Sequence, residues 1–236
     1  MAQRPVLNNT SAGIRWNQVI TPSFRVVFPN GHQQHALRVA NTLEGLHRKE
    51  ARTLSATLPK RISIILQDFN AFSNGFIAFG PRRGEFYTLP PQNPELAGTN
   101  DWLDLLAVHE YRHVVQYHHR RQGFTRLMYY LFGQQTQSGT AFSAVPRWFW
   151  EGDATLSETL YSPSGRGRIP AFGRIFKANL LEGKKFTYNK QHLRSYRDFV
   201  PDHYKLGYYF VTHLRRRTGD PDIWQDVTSD AFEWSF

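Results

Sequence analysis

The sequence predicts an α+β protein, with a β-rich subdomain over residues 1–100 and a helical subdomain over residues 101–236. Short β-branched and aromatic runs, separated by glycine and proline, are concentrated before residue 90. Long stretches with helical apolar periodicity dominate after residue 100. Strands followed by helices are typical of α+β domains. Because 40% of the 236 residues are hydrophobic, we expect one domain whose two subdomains flank a cleft.

In the first hundred residues, the strongest local signals are β-branched runs that end at proline or glycine. Leucine, valine and alanine at helical spacing separate the first two of these runs. The glycines and proline between residues 79 and 85 are typical of a hairpin turn, in which we place Arg82 and Arg83. The predicted elements are strands at 24–28 and 61–66, a helix at 33–56, and a hairpin formed by 75–79 and 85–89.

The second half of the chain contains longer periodic stretches. The segment DWLDLLAVHEYRHVVQYHH, residues 101–119, predicts a helix capped by Asn100 or Asp101. A proline at the first helical position favours a second helix that starts at Pro146. The remaining predictions are an apolar stretch at 124–133, a polar loop at 134–144, a Gly/Pro/Ser-rich loop after residue 160, and a last helix from Asp202.

Composition excludes several kinds of site. The chain has no cysteine, which excludes disulfides, thiolate ligands and a cysteine nucleophile, so a metal would need histidine and carboxylate ligands. The net charge of +10 comes from dispersed basic residues without a recognised nucleic-acid module, and we expect no nucleic-acid partner. No stretch of eighteen apolar residues is present, so we expect no transmembrane segment.

Residues 109–113, His-Glu-Tyr-Arg-His, form an HExxH motif within the predicted helix 101–119. Residues four apart lie on one helix face, so His109 and His113 can bind one ion. Glu110 lies next to them, where it can reach a water on the metal as a general base.

Catalytic zinc normally has three protein ligands, and two residues are candidates for the third. His119 has the metzincin spacing from His109, but Gln116 replaces the glycine with which that pattern breaks the helix. Glu151 lies among aromatic residues in PRWFWEGDA, where a buried carboxylate is costly unless a cation compensates it.

The motifs HEYRHVVQ and PRWFWEGDA, with the basic, leucine-rich segment RRQGFTRLMYYLFG between them, resemble the gluzincin zinc peptidases. The resemblance is strongest to peptidase MA-like domains often joined to a TolB-type β-propeller, and it is close over residues 103–160. It implies a thermolysin-like fold with the active site between the subdomains. It also implies one zinc per chain, with His109, His113 and Glu151 as ligands and Glu110 as base.

Residues near the ligands complete the predicted site. Thr155 and Glu158 lie at i+4 and i+7 from Glu151, so either can orient a ligand histidine. The block Asp202-His203-Tyr204-Lys205-Leu206-Gly207 resembles the Tyr-x-x-Gly helix start of the aminopeptidase N family. That resemblance implies that Tyr204 donates to the oxyanion, with His203 as a thermolysin-like alternative.

The resemblance also predicts partners and context. A peptide or protein substrate would add as a strand along hairpin 75–89. The aromatic ending DAFEWSF favours a fragment of a longer protein, which would carry a C-terminal β-propeller. Residues 1–13 lack the apolar core of a signal peptide. Because relatives of this layout are commonly exported, the resemblance implies a bacterial cell-envelope location, with the signal peptide absent from this sequence. The alternative function is a catalytically silent gluzincin-fold scaffold that acts with the missing domain.

Overall fold

The structure, a computed structural model, describes residues 13–54, 57–69, 71 and 73–233. The predictions that rest on the two ends of the chain, concerning a signal peptide and a truncation, fall largely on residues 1–12 and 234–236, which lie outside the described residues. The predicted helix 33–56 is confirmed over Gln33–Ala51, but its end was placed too late, because residues 52–54 form a turn. Residues 55–56 lie outside the described residues.

A five-stranded mixed sheet forms the N-terminal part and confirms the α+β class. Its order is β1-β2-β3-β5-β4, with β2, β3 and β5 parallel and the two edge strands antiparallel to their neighbours. The strands are β1 (Trp16–Ile20), β2 (Phe24–Pro29), β3 (Ile62–Gln67), β4 (Gly75–Phe79) and β5 (Arg82–Tyr87).

The predicted strands at 24–28 and 61–66 are confirmed as β2 and β3, and the predicted hairpin is confirmed as β4 and β5. The hairpin's turn was placed wrongly, because Arg82 and Arg83 belong to β5, where they pair with Phe79 and Ala78. The pairing of β4 with β5 continues past Gly84 to Arg82 and therefore extends closer to the turn than the glycine suggested. Strand β1 was not predicted, since it has no buried residue and hence no apolar alternation.

Nine helices occur in the described part of the chain, together with two 3-10 turns at Arg166–Arg168 and Pro170–Gly173. Those N-terminal to residue 145 are α1 (Gln33–Ala51), α2 (Pro94–Ala97), α3 (Trp102–His119) and α4 (Gly123–Ala144). Those that follow are α5 (Arg147–Tyr161), α6 (Arg174–Leu181), α7 (Tyr188–Leu193), α8 (His203–Thr218) and α9 (Ile223–Glu233).

Helix α3 is the central element, because it packs on α1, on β4 and β5, and on α5. Its predicted start is confirmed, since the Asp101 side chain caps it by accepting a hydrogen bond from the Leu103 amide at 2.9 Å. Thirteen of its eighteen residues are buried, among them His109, Glu110 and Arg112. The HExxH motif therefore lies inside the molecule, between the sheet and the C-terminal helices.

The polar loop predicted at 134–144 is wrong, because these residues are helical and belong to α4. The helix breaks at Gly133, whose φ of 83° is non-helical, so the apolar and polar halves of α4 are two helical segments. In the second segment Thr140 donates to the carbonyl of Thr136 at 3.0 Å, and Ser143 donates to that of Thr140 at 2.8 Å. These polar side chains bond to their own helix instead of disrupting it.

The last predicted helix is confirmed as α8, in which Asp202 caps the start by accepting from the Lys205 amide at 2.9 Å. The segment between α5 and α8 is more ordered than the predicted loop, since it contains both 3-10 turns, α6 and α7. Within the described residues, no helix combines the length and apolar character required to cross a membrane.

Candidate metal centre

Three side chains from two helices converge on one point. Nε2 of His109 and Nε2 of His113, one turn apart on α3, are separated by 3.3 Å. Oε2 of Glu151, from α5, lies 3.3 Å from the first and 3.5 Å from the second. These are the three residues that the sequence predicted as ligands.

The spacing of these atoms matches a tetrahedral ion. Ligand bonds of ~2.0–2.2 Å to zinc place tetrahedral ligand atoms roughly 3.3–3.6 Å apart. Oε2 of Glu151 is also buried, and no described residue donates a hydrogen bond to it. Three electron-pair donors that face one another at these distances fit a cation between them.

The other ring nitrogen of each histidine has its own partner. Nδ1 of His109 lies 2.5 Å from Oε1 of Glu158, and Nδ1 of His113 lies 2.8 Å from Oε1 of Gln116. Both partners accept the Nδ1 proton, which leaves the Nε2 lone pair for a metal. The tautomer that a ligand histidine requires is therefore fixed at both positions.

Of the two residues predicted to orient a histidine, Glu158 contacts a ring and Thr155 does not. The Thr155 hydroxyl donates to the carbonyl of Glu151 at 2.7 Å, one turn earlier in α5. A buried threonine in a helix can satisfy its hydroxyl in this way, so its spacing alone did not predict a contact with the ring.

Arg166, which belongs to no motif in the sequence, holds Glu158 in place. Its guanidinium donates twice to the Glu158 carboxylate, through Nε at 2.8 Å and through Nη2. Burial raises the pKa of Glu158, but the charge of Arg166 and its hydrogen bonds outweigh burial and hold it below the ordinary value. Glu158 is thus ionised beside His109.

Gln116 links His113 to a buried ion pair. The Gln116 amide donates to Oδ2 of Asp153 at 2.7 Å and to the Trp150 carbonyl at 3.0 Å, which leaves its oxygen for His113. Asp153 in turn accepts two hydrogen bonds from Arg112, at 2.7 and 2.9 Å. The Gln in HExxHxxQ and the Asp in EGDA, both visible in the sequence, therefore connect α3 to α5 behind the ligands.

Glu110 has no hydrogen-bond partner among the residues that the structure describes. Its carboxylate is fully buried, and neither oxygen accepts a hydrogen bond from them. Burial raises the pKa of this carboxyl, although the neighbouring histidines oppose the shift. Glu110 lines the same cavity as His113 and Glu151, so an incoming molecule there could reach it.

Tyr204, at the start of α8, lies near His109 but does not line the cavity that contains Glu110. The two ring centroids are 6.1 Å apart, and Cζ of Arg166 lies 4.7 Å above the Tyr204 ring. Burial raises the pKa of the Tyr204 hydroxyl, which therefore stays protonated and can donate. His203 packs on Tyr204 with centroids 4.3 Å apart, and burial lowers the pKa of His203 to about 4.

The alternative third ligand, His119, does not join this group. Its Nε2 lies 3.1 Å from the Ser229 hydroxyl on α9, and burial lowers the pKa of its ring to about 4. Because α3 continues without a break through Gln116, the helix carries His119 away from the other two histidines.

A cavity of about 420 Å³ opens beside the ligands. Residues of the metal centre, Glu110, His113 and Glu151, form one side of it. Apolar and aromatic side chains from β4, α4 and α5 also line the cavity: Phe76, Ile77, Phe79, Phe142 and Trp150.

No family model matches the chain, and no curated protein matches it.

Proposed function

We propose that the protein is a zinc-dependent peptidase of the thermolysin-like, gluzincin type. The observation that supports this most strongly is the unpartnered Glu110 carboxylate beside three convergent ligand atoms from His109, His113 and Glu151. A purely structural metal site has no need of a buried carboxylate that makes no hydrogen bond, because burying it is costly.

The ligand set favours zinc. Two imidazoles and one carboxylate, without sulfur, are typical of catalytic zinc sites that keep a fourth position open. We expect one zinc per chain. When bound, zinc would lower the pKa of a coordinated water and polarise the scissile carbonyl.

The protein's own residues would supply the remaining chemistry. Glu110 accepts a proton from the attacking water and returns it to the leaving amine. Its position in the cavity, out of bulk water, strengthens it as a base because burial raises its pKa. Tyr204 donates its hydroxyl proton in a hydrogen bond to the oxyanion, and the ionised Glu158 holds the ring of His109.

A peptide substrate would bind along β4. Among the described strands, β4 lies at one edge of the sheet and pairs with β5 alone, so its outer edge can form backbone hydrogen bonds with a peptide. Phe76 to Phe79 of the same strand line the cavity next to Glu110, which would place an added strand beside the metal centre.

The alternative is a gluzincin-fold scaffold without turnover. Metal analysis of the purified protein, combined with a cleavage assay on a broad peptide library, separates the two functions. We expect one zinc per chain and cleavage that Glu110→Gln abolishes while zinc content stays unchanged. Zinc-loaded wild type that cleaves no peptide in the library would establish the scaffold function instead.

A further inference from the structure

The cavity beside the metal centre contains a buried cation without a counterion. Arg120 directly follows α3 as its C-cap and is only 2% exposed, yet it lines the cavity together with Trp150 and Phe142. Its one side-chain hydrogen bond within the described residues is a long contact of 3.4 Å from Nη2 to the Ser138 hydroxyl. Nε of Arg120 is buried and has no hydrogen-bond partner in the described part of the chain.

Aromatic rings surround the Arg120 guanidinium. Its Cζ lies between 4.5 and 5.3 Å from the ring centroids of Tyr117, Phe142, Trp150 and Phe79. Cation–π attraction offsets part of the desolvation cost of a buried guanidinium, but it supplies no negative charge. Burial accordingly lowers the pKa of Arg120 to about 9.

Two other buried arginines near the metal centre show what Arg120 lacks. Arg112 is held by both oxygens of Asp153, and Arg166 is held by both oxygens of Glu158. No carboxylate of the described chain forms an ion pair with Arg120, which instead faces the substrate cavity. An anion that enters the cavity would complete the same pairing.

Arg120 is also positioned to contact a ligand that reaches the metal. It follows His113 by seven residues on one helix, a spacing that places both side chains within roughly 20° of the same face and about 10 Å apart along the axis. An extended peptide covers that distance in about three residues, or in fewer when a long side chain points along it.

We propose that the cavity binds a carboxylate of the substrate and that Arg120 is the specificity-determining residue that pairs with it. The nature of the substrate, a peptide, rests on the proposed function. The carboxylate belongs either to an aspartate or glutamate side chain near the scissile bond or to a free C-terminus. The aromatic wall packs against the apolar part of the same residue.

Matched peptides test the proposal. One series carries glutamate or glutamine at each position around the scissile bond, with both ends blocked, and a second series ends in a free carboxylate or an amide. We expect kcat/KM at least about tenfold higher for the carboxylate member of one series. That series identifies the source of the carboxylate. A wild-type ratio near one in both series overturns the proposal.

Two variants assign the preference to Arg120. Arg120→Met keeps an unbranched apolar side chain among the rings. It should reduce the ratio of kcat/KM between the carboxylate peptide and its neutral counterpart to within about twofold of one. Arg120→Lys keeps the positive charge and should retain part of the preference. Arg121→Met is the matched control, since Arg121 lies over Tyr129 at 4.9 Å and does not line the cavity. An equal loss of preference in Arg121→Met would assign the effect to overall charge and overturn the proposal.

Calorimetry separates this inference from the proposed function. Glutarate and its neutral analogue glutaramide are titrated into the zinc-loaded wild type and into Arg120→Met. Because glutarate can coordinate zinc in both proteins, the difference in glutarate affinity between them measures the contribution of Arg120. We expect at least about tenfold tighter glutarate binding in the wild type than in the variant, with no such difference for glutaramide.

The outcomes are distinguishable. A protein that cleaves no peptide but shows the Arg120-dependent glutarate binding lacks the proposed function and retains the carboxylate site. A protein that cleaves peptides without any carboxylate preference has the proposed function, and the inference about Arg120 is wrong.

Discussion

The Cα atom of Gly152 lies 2.7 Å from the position that a Cβ atom would occupy on Gly207. The same Cβ atom would lie 2.0 Å from the carbonyl oxygen of Trp148. Helices α5 and α8 thus meet backbone to backbone, which only glycine permits at both positions. Gly152 directly follows the ligand Glu151, so this contact brings the start of α8, with Tyr204, beside the metal centre.

Gly207→Ala should destabilise the protein, because the neighbours of the new methyl group are backbone atoms that cannot move without separating the helices. We expect a loss of about 1–3 kcal/mol, the usual cost of overpacking, or more. Denaturant unfolding measures it. Gly139→Ala in α4 is the control, since no heavy atom lies within 4 Å of its Cβ position, and it should be neutral or slightly stabilising. Equal effects at the two sites would contradict the tight contact.

The elements that carry the ligands were predictable because their signals are local. Asp101 is a helix cap, Pro146 precedes the first turn of α5, and the HExxH spacing places two histidines on one face. The resemblance then selected Glu151 over His119. All of these signals lie within one helix or in one short motif.

The supporting contacts were not predictable, because they depend on tertiary structure. Arg166 lies in a glycine-rich 3-10 turn without periodicity, and only the packing of that turn on α5 brings it to Glu158. Gln116 was visible in the motif, but its bond to Asp153 joins two helices. Arg120 was visible only as one of several dispersed basic residues, since burial among aromatic rings does not show in a sequence.

Gln116→Leu should weaken zinc binding about 10- to 100-fold, because His113 loses the acceptor that fixes its tautomer and orientation. Competition with a chelator measures this affinity. Asp153→Asn is the contrasting variant. It removes the carboxylate charge that Arg112 pairs with, so we expect the free energy of unfolding to fall by about 3–5 kcal/mol. This loss should exceed the loss of stability in Gln116→Leu. Unchanged zinc affinity in Gln116→Leu would show that His113 is oriented without it.

The pH dependence of zinc affinity should report the pair formed by Glu158 and His109. Burial opposes protonation of the metal-free His109. The charge of Glu158, the hydrogen bond that the ring donates to Glu158 and the neighbouring Glu151 carboxylate outweigh burial and raise the pKa of His109 to about 10. Zinc must displace that proton, so the affinity should rise about tenfold per pH unit between pH 6.5 and 9. If His109 had the ordinary pKa of a histidine, zinc affinity would stop rising above about pH 6.5.

The same shift affects the stability of the metal-free protein. Because the pKa of His109 is higher in the folded state, its contribution to stability is complete below pH 6.5 and is lost as the pH rises towards about 10. Glu158→Gln should flatten the rise in zinc affinity at a lower pH than in the wild type. Thr155→Val is the control. The Thr155 hydroxyl donates to the Glu151 carbonyl of its own helix, so its removal should leave the pH dependence of zinc affinity unchanged. A wild-type plateau below pH 7 would contradict the raised pKa.

Tyr204→Phe should lower kcat about 10²- to 10³-fold, roughly 3–4 kcal/mol, and leave KM almost unchanged. The reason is that a hydroxyl that donates only to the oxyanion stabilises the transition state and not the bound substrate. Steady-state kinetics on one peptide separate the two constants. Tyr208, one turn further along α8, is the control, because its ring packs on Phe172 with centroids 5.5 Å apart. If Tyr208→Phe impairs turnover while Tyr204→Phe does not, the wrong tyrosine has been assigned to the oxyanion.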